Sequence, residues 1–367
     1  MRLGFDAGPI VGGAGGVKSH TVHLLRALLT RDPTLEVVAY VPSGSRGQVD
    51  AQAWSLFPHL QWREVGRWGW QSQAVRDRLD LFHGPNFKMR AEGRFGGIVT
   101  IHDLWLERHP EYSGKLLGQW WSGLRTRRTA WRAQRVITVS QFSKREMMDL
   151  YGLPADRIEV IPNGVDREYW DRYESGAAEA LRRRLKIPDG PYLLFVGGAD
   201  PRKNHRTVLE AYAGRRDRLR PWKLVMVGDP VHRFGNYHES IVSAGLQGDV
   251  ILVGRMGAED LRVLYQQATL LLFPSLYEGF GIPVLEAMAS GTPVITSSTT
   301  SLPEVAGEAA VLIDPHDPSA LGDAMVRLAQ DGTLREWLRL AGRQQVKQYD
   351  WARIAEQTLR VYVHCCR

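Results

Sequence analysis

Residues 270–298 read "LLLFPSLYEGFGIPVLEAMASGTPVITSS". The opening "LLLFPS" (270–275) is apolar on both faces, as a strand covered by helices on two sides must be. Pro283 suits the first turn of a helix, where its missing N–H would have no partner anyway. Gly291, followed by Pro293, closes that helix. "PVITSS" (293–298) is a second buried strand. Strand, helix and strand in this order form a βαβ unit, and therefore a parallel sheet. The stretch also carries Glu278 and Glu286, with seven residues between them. The punctuation places Glu278 in the loop before the helix and Glu286 about one turn inside it.

The same alternation runs through the chain. "RLGFDA", "EVVAYV", "LDLFHG", "GIVTIHD", "RVITVS" and "IEVIPNG" read as strands in the first half. "PYLLFVG", "KLVMVG", "VILVG", "LLLFPS", "PVITSS" and "AAVLID" do so in the second. A polar, strand-free stretch, about 167–190, lies between the sets. The expectation is α/β: two doubly wound Rossmann-like domains, 1–168 and 169–349, then a terminal helix over 350–367.

Composition agrees. Of 367 residues, 44% are hydrophobic and 24% charged, which suits a globular protein with a sizeable core. No apolar run approaches the roughly 18–20 residues of a membrane span, and "MRLGFDAGPI" lacks the apolar core of a signal peptide. Cys365 and Cys366 are adjacent, which is neither a disulfide framework nor a metal spacing, so a cytoplasmic location is expected. Residues 1–170 hold 23 Lys+Arg against 17 Asp+Glu, whereas 171–367 hold 24 against 23. The basic excess belongs to the first half and suggests an anionic partner there.

In open parallel sheets ligands sit beyond the carboxyl ends of the strands. Gly279 and Gly281 let backbone approach a ligand, and the helix start near Phe280, Ile282, Pro283 and Val284 is an anion site suited to phosphate. Glu286, in apolar surroundings, needs hydrogen-bond donors such as sugar or ribose hydroxyls to stay ionised. The plainer alternatives are a capping glutamate at 278 and a core salt bridge at 286. "GADPRKNHR" places Arg202 and Lys203 after a strand and before a helix, where they can face the same anion. "GPIVGGAGGVKSH" (8–20) follows the first strand and opens a helix, but fits neither the Walker frame nor G-x-G-x-x-G. "TIHDLW" puts His102 and Asp103 at another strand end. A lone histidine there is more often structural, and the adjacent aspartate favours a functional one.

Together these residues resemble the retaining GT-B glycosyltransferases of family 4, in their bacterial mannosyltransferase-like branch. "EGFGIPVLE", "PRKN", "VSQFS", "IEVIPNGVD", "HGPNF" and "SLPEVAGEAAVLIDP" carry the resemblance. It implies two domains facing a cleft and a C-terminal helix crossing back to the first. It implies a nucleotide-diphosphate sugar donor, for which GDP-mannose is the best guess, and a saccharide or lipid-linked acceptor. It implies no metal and no cofactor. Glu278 would contact the donor sugar, Glu286 the ribose hydroxyls, and Lys203 the departing diphosphate, with the amides near Gly281 and Ile282. Val253, Gly254 and Arg255 would lie near the base, and Gly15 and Gly16 on the diphosphate side. His102 would contact the donor sugar, with Asp103, His83 and Asn86 toward the acceptor. One departure stands out: Gly198 occupies a position where many members carry arginine, and Arg202 is the candidate to supply that charge. A UDP-sugar donor, or an epimerase or hydrolase on the same fold, are the alternatives.

Residues 113–135, "SGKLLGQWWSGLRTRRTAWRAQR", hold six Lys+Arg, three Trp and no acid. A basic amphipathic helix with aromatics can lie in an anionic membrane interface. The alternative is an ordinary helix whose Trp residues pack on the sheet. Nucleic acid is not expected as a partner, since that reading leaves Glu278, Glu286 and Lys203 unexplained.

Overall fold

The apolar runs form strands because both of their faces are covered. The computed structural model describes residues 1–12, 15–66, 69–91, 96–113 and 116–366, and of residues 51, 113 and 116–122 the backbone. The chain divides into two units, Met1–Gly164 with Tyr349–Arg367, and Val165–Gln348. The first division thus falls before the expected 168/169 boundary, directly after the apolar run that ends in "IPNG".

Unit 1 is a seven-stranded sheet ordered β3-β2-β1-β4-β5-β6-β7. Its strands are β1 (Arg2–Asp6), β2 (Glu36–Pro42), β3 (Leu60–Val65), β4 (Leu81–Gly84), β5 (Gly96–Ile101), β6 (Arg135–Thr138) and β7 (Ile158–Val160). Every pairing is parallel. β3, "LQWREV", escapes the apolar-run criterion because it is an edge strand whose residues are mostly part-exposed. Helix α1 (Gly15–Arg31) buries Leu24, Leu25 and Leu28 in a core shared with Ile354 and Tyr362 of the C-terminal helix Trp351–Cys365. That helix begins at Asp350, whose carboxylate accepts from Ala352 N at 2.7 Å, as an N-cap should. Helix α2 (Leu116–Arg132) lies within the basic segment.

Unit 2 has a six-stranded sheet ordered β12-β9-β8-β13-β14-β15, and a two-stranded hairpin, β10 (Val231–His232) with β11 (Gly235–Asn236). The sheet strands are β8 (Tyr192–Val196), β9 (Lys223–Val227), β12 (Val250–Gly254), β13 (Leu270–Phe273), β14 (Val294–Ser297) and β15 (Val311–Ile313), all parallel. The helices that matter below are α3 (Arg167–Asp171), α4 (His205–Gly214), α5 (Ala258–Gln267), α6 (Ile282–Ala289) and α7 (Gly332–Gln345).

Strand order reverses between β8 and β13. Sequential strands run outward from β8 in one direction through β9 and β12, and from β13 in the other through β14 and β15. A doubly wound sheet opens a crevice at such a switch point, beyond the carboxyl ends of the two central strands. The loops leaving β8 and β13 are those that carry Arg202, Lys203 and Glu278. In unit 1 the corresponding switch lies between β1 and β4, which send out the glycine-rich segment and "HGPNF". Among the described residues no helix is long and apolar enough to cross a membrane.

Candidate active site

β8 is followed by Gly197 and Gly198, and the chain then folds into a short 3₁₀ turn, Pro201–Lys203. Asp200 starts the turn by accepting from Arg202 N at 2.9 Å. Gly197 packs closely against the turn, where a Cβ would sit 3.0 Å from Cγ of Lys203. The turn ends at Asn204, which adopts a left-handed φ of 61° and is buried. Its amide donates to Pro274 O (3.0 Å) after β13 and to Pro315 O (2.7 Å) after β15. Leu276 N donates to Arg202 O at 2.8 Å. One buried amide and one backbone bond thus lock the Lys203 turn to the Glu278 loop.

Glu278 is only 6% exposed. Lys203 Nζ donates to its Oε1 at 2.5 Å, and Arg202 Nη1 lies 3.6 Å from Oε2. Lys203 Nζ also lies 5.0 Å from the centre of the Phe273 ring. Burial alone would raise the Glu278 pKa, but Lys203 and Arg202 outweigh it and hold the carboxyl below its ordinary value. Burial pulls the Lys203 pKa down, and Glu278 is the largest influence opposing that. The two directions disagree about how far the pair is ionised. The low pKa of Glu278 decides it, because two cations face one carboxylate. The Ser301 hydroxyl lies 2.8 Å from Glu278 O and 2.9 Å from Phe280 O and shares its one proton between them, which fixes the loop backbone.

Gly281 caps α6 with φ 113°, and a Cβ there would meet Leu302 Cδ2 at 2.7 Å. Pro283 follows in the first turn, as the sequence predicts. Of this first turn, Pro283 has no N–H and Val284 N donates to Gly281 O at 3.0 Å, so Ile282 N is the amide it can offer a ligand, and the helix dipole adds partial positive charge. Glu286 is part-exposed, and its Oε2 accepts the Tyr265 hydroxyl at 3.1 Å. Burial pushes its pKa up to about 7, with the tyrosine hydrogen bond opposing. Among the described residues no cation pairs with Glu286, so it is not half of a core salt bridge.

Other expected donor residues lie further along the same edge. Val253 and Gly254 end β12, the outermost strand on the β9 side, and Arg255 is exposed and pairs with Asp229 at 2.9 Å. Gly198 has room for a side chain, since a Cβ there would meet nothing closer than Asp229 O at 3.6 Å.

In unit 1, Gly15 opens α1 with φ 64° and both Gly15 and Gly16 are exposed; residues 13–14 of their loop lie outside the described residues. The segment before it, Gly8–Gly12, is helical rather than an open loop. His102 directly follows β5; its Nε2 donates to Pro85 O at 2.9 Å and its ring meets the edge of His20 at 4.8 Å. Burial lowers its pKa, so it is a neutral imidazole whose proton is on Nε2. Asp103 Oδ1 accepts from Trp105 N at 3.2 Å and so starts the short helix Trp105–Arg108. Asn86 is part-exposed in the turn after β4. The acceptor-side expectation for His83 is corrected. Its side chain is fully buried, with Nδ1 on Tyr362 OH (2.6 Å) and Nε2 on Thr100 Oγ1 (2.8 Å), so both nitrogens serve the core.

Asn204, Ser301 and Tyr265 were not expected at the site. The first two lie inside the quoted "PRKN" and "SLPEVAGEAAVLIDP", whereas Tyr265 has no sequence signal beyond a helical apolar face. Trp120 and Trp121 of the basic segment lie outside the described side chains. Trp131 is 43% exposed, donates to Tyr151 O at 2.9 Å and stacks beneath Arg157.

Comparison with known proteins matches this chain to two family models, Glycosyltransferase Family 4 over residues 14–169 and Glycosyl transferases group 1 over residues 177–345. O-antigen chain mannosyltransferase B of Escherichia coli is 33% identical over 80% of this chain and 76% of its own length. The D-inositol 3-phosphate glycosyltransferase of Acidothermus cellulolyticus is 33% identical over 63% of this chain and 53% of its own length. Among solved structures, sucrose-phosphate synthase from Thermosynechococcus elongatus has a TM-score of 0.79 at 22% identity, covering 99% of this chain and 98% of that one. Anabaena HepE, solved with UDP and glucose, has a TM-score of 0.75 at 18% identity, covering 99% and 100%. The chain therefore belongs to the family 4, or group 1, glycosyltransferases and has their GT-B type of fold, two parallel-sheet Rossmann-like domains.

Proposed function

We propose that this glycosyltransferase moves mannose, with retention at the anomeric carbon, from GDP-mannose to a saccharide or lipid-linked saccharide acceptor. The observation that carries the reading is the cluster of Lys203, Arg202 and Glu278 at the unit 2 switch point, beside the glycine-capped start of α6. Two cations and a helix start suit a diphosphate, and a buried ionised carboxylate suits sugar hydroxyls. The 33% identity to a mannosyltransferase supports the choice of sugar.

In this mechanism the C–O bond between the anomeric carbon and the β-phosphate breaks, and charge grows on the diphosphate. Lys203, Arg202 and the Ile282 amide at the start of α6 neutralise it, the arrangement in which fixed charges lower a barrier most. No metal ion is required for that role. The leaving phosphate takes the acceptor's proton as the new bond forms on the same face. Glu278 accepts hydroxyls of the donor sugar, Glu286 those of the ribose, and His102 offers Nδ1 as an acceptor. Arg202 supplies the charge that Gly198 cannot.

A thermal-shift series tests the donor, because a ligand that binds the native state raises Tm. GDP-mannose should raise it more than UDP-glucose or UDP-galactose at equal concentration. Preference for a UDP-sugar would replace the donor, and donor turnover at the full rate without acceptor would indicate an epimerase or hydrolase. We assign the basic α2 segment to the anionic cytoplasmic face of a membrane. Salt-sensitive binding to phosphatidylglycerol vesicles is expected, and no binding at low salt would refute it.

A further inference from the structure

Glu286 sits where a nucleotide's ribose is placed in the reading above, yet nothing in α6 itself fixes its carboxylate. The partner is on α5. Tyr265 is fully buried, and its hydroxyl donates to Glu286 Oε2 at 3.1 Å. The tyrosine is held from two further directions. Thr292 Oγ1, beyond the end of α6, donates to Tyr265 O at 2.6 Å. Trp170 of α3 meets its ring edge-on at 5.6 Å. Trp170 is in turn tied to α5 by Gln266 Nε2, which donates to Trp170 O at 2.8 Å. The hydroxyl is therefore aimed before any ligand arrives, and a group fixed in advance costs less to use.

We propose that Tyr265 is a positioning residue for nucleotide-sugar binding: it aims the Glu286 carboxylate by donating to Oε2. The proposal rests on Glu286 accepting the ribose hydroxyls. A carboxylate with one oxygen engaged from behind presents its remaining lone pairs to a vicinal diol, whose two hydroxyls both donate. Without the tyrosine, both the orientation and the charge would depend on the ligand alone.

The charge depends on few neighbours. On α5, Arg262 is turned to Glu174 at 2.7 Å and to the ring of Tyr169, while Glu259 and Asp260 lie in the first turn, about one and a half turns before Tyr265. α3 carries Arg167, Glu168, Tyr169 and Asp171, of which Tyr169 feels the Glu286 charge and Asp171 is paired with Arg343. α7 brings Arg339 and Arg343 to Gly291, beyond the carboxyl end of α6, and carries Arg335 and Glu336 as well. The helix Leu302–Ala306 carries one ionisable group, the exposed Glu304, and β13 and β14 carry none. Burial pushes the carboxyl up to about 7, and the tyrosine hydrogen bond opposes that shift. Ligand affinity should therefore fall as pH drops through neutrality, and loss of the hydroxyl should move that fall to higher pH.

The test is GDP-mannose affinity by calorimetry from pH 5.5 to 9, with wild type, Tyr265→Phe and Glu286→Ala; the donor's diphosphate has no proton that titrates near neutrality. Phenylalanine keeps the ring against Trp170, and a thermal melt checks that each variant is folded. In Tyr265→Phe the acid limb is expected to move up by about one pH unit, the scale of one hydrogen bond to a charged group. Turnover at saturating donor should change little, so the effect falls on KM. Glu286→Ala should weaken binding at every pH and abolish the limb. An unmoved limb in Tyr265→Phe, with Glu286→Ala weakened, overturns the role of Tyr265 and leaves the ribose reading standing. Wild-type affinity in Glu286→Ala overturns the ribose reading itself. Should Tyr265→Phe melt below the assay temperature, Trp170→Phe is the second variant: it keeps the hydroxyl, and a limb displaced as far by that change would make the effect one of packing and refute the proposal.

Discussion

Glu278 and Glu286 are both carboxylates in apolar surroundings, and their surroundings drive them apart. Two cations hold Glu278 ionised despite burial, whereas Glu286, with no cation beside it among the described residues, accepts a tyrosine hydroxyl and is pushed up to about 7. Glu278 therefore stays a charged hydrogen-bond acceptor throughout the neutral range, and the acid sensitivity of binding belongs to Glu286. Replacing Glu278 by alanine should abolish sugar transfer while GDP still binds, because the lost contacts are to the sugar. Transfer assays paired with GDP calorimetry check this; loss of GDP binding would make Glu278 a nucleotide or structural residue. Lys203 is expected to be worth on the order of 10²–10³ in kcat, the scale of one lost oxyanion donor. The sequence identified these side chains because glycines and a proline marked the loop and helix around them. It was silent on Asn204, Ser301 and Tyr265, whose importance comes from which distant backbone or side chain each one reaches.

At the level of elements, α6 is defined at its start by Gly281 and Pro283 rather than by helix propensity. Gly281→Ala forces a Cβ into a left-handed backbone and against Leu302, at a cost of roughly 1–3 kcal/mol. In a domain of this size each kcal/mol lowers Tm by about 2–4 °C. A melt that differs from wild type by less than about 1 °C, within the scatter of about 0.5 kcal/mol for neutral surface changes, would show that the loop adjusts. Donor affinity should fall with it, since the same residue sets the direction of the Ile282 amide. The strands were legible wherever both faces are apolar, and this is why β3 and the β10–β11 hairpin were missed. β3 alternates part-exposed polar residues on a sheet edge, and the hairpin strands are two residues each. The glycine-rich segment was read as opening a helix, and Gly8–Gly12 is already helical, because a glycine run punctuates a chain without forbidding a turn of helix.

Across the whole molecule, each unit is a doubly wound sheet, and the Lys203–Glu278 pair of unit 2 lies at its reversal of strand order, a placement that follows from topology. Residues distant in sequence, such as Lys203 and Glu278, meet because β8 and β13 are neighbours with a crossover between them. The topology also explains the error at His83. Its strand end was right, but β4 is central and the C-terminal helix covers the histidine with Tyr362, a contact no local pattern announces. The central claim is that unit 2 holds a diphosphate with Lys203. Calorimetry of GDP and GMP at pH 8 and low salt, with wild type and Lys203→Ala, tests it most directly. Wild type should prefer GDP by about tenfold or more, equivalent to ~1.4 kcal/mol, and the preference should largely vanish in Lys203→Ala. A preference that survives the substitution unchanged would contradict the account.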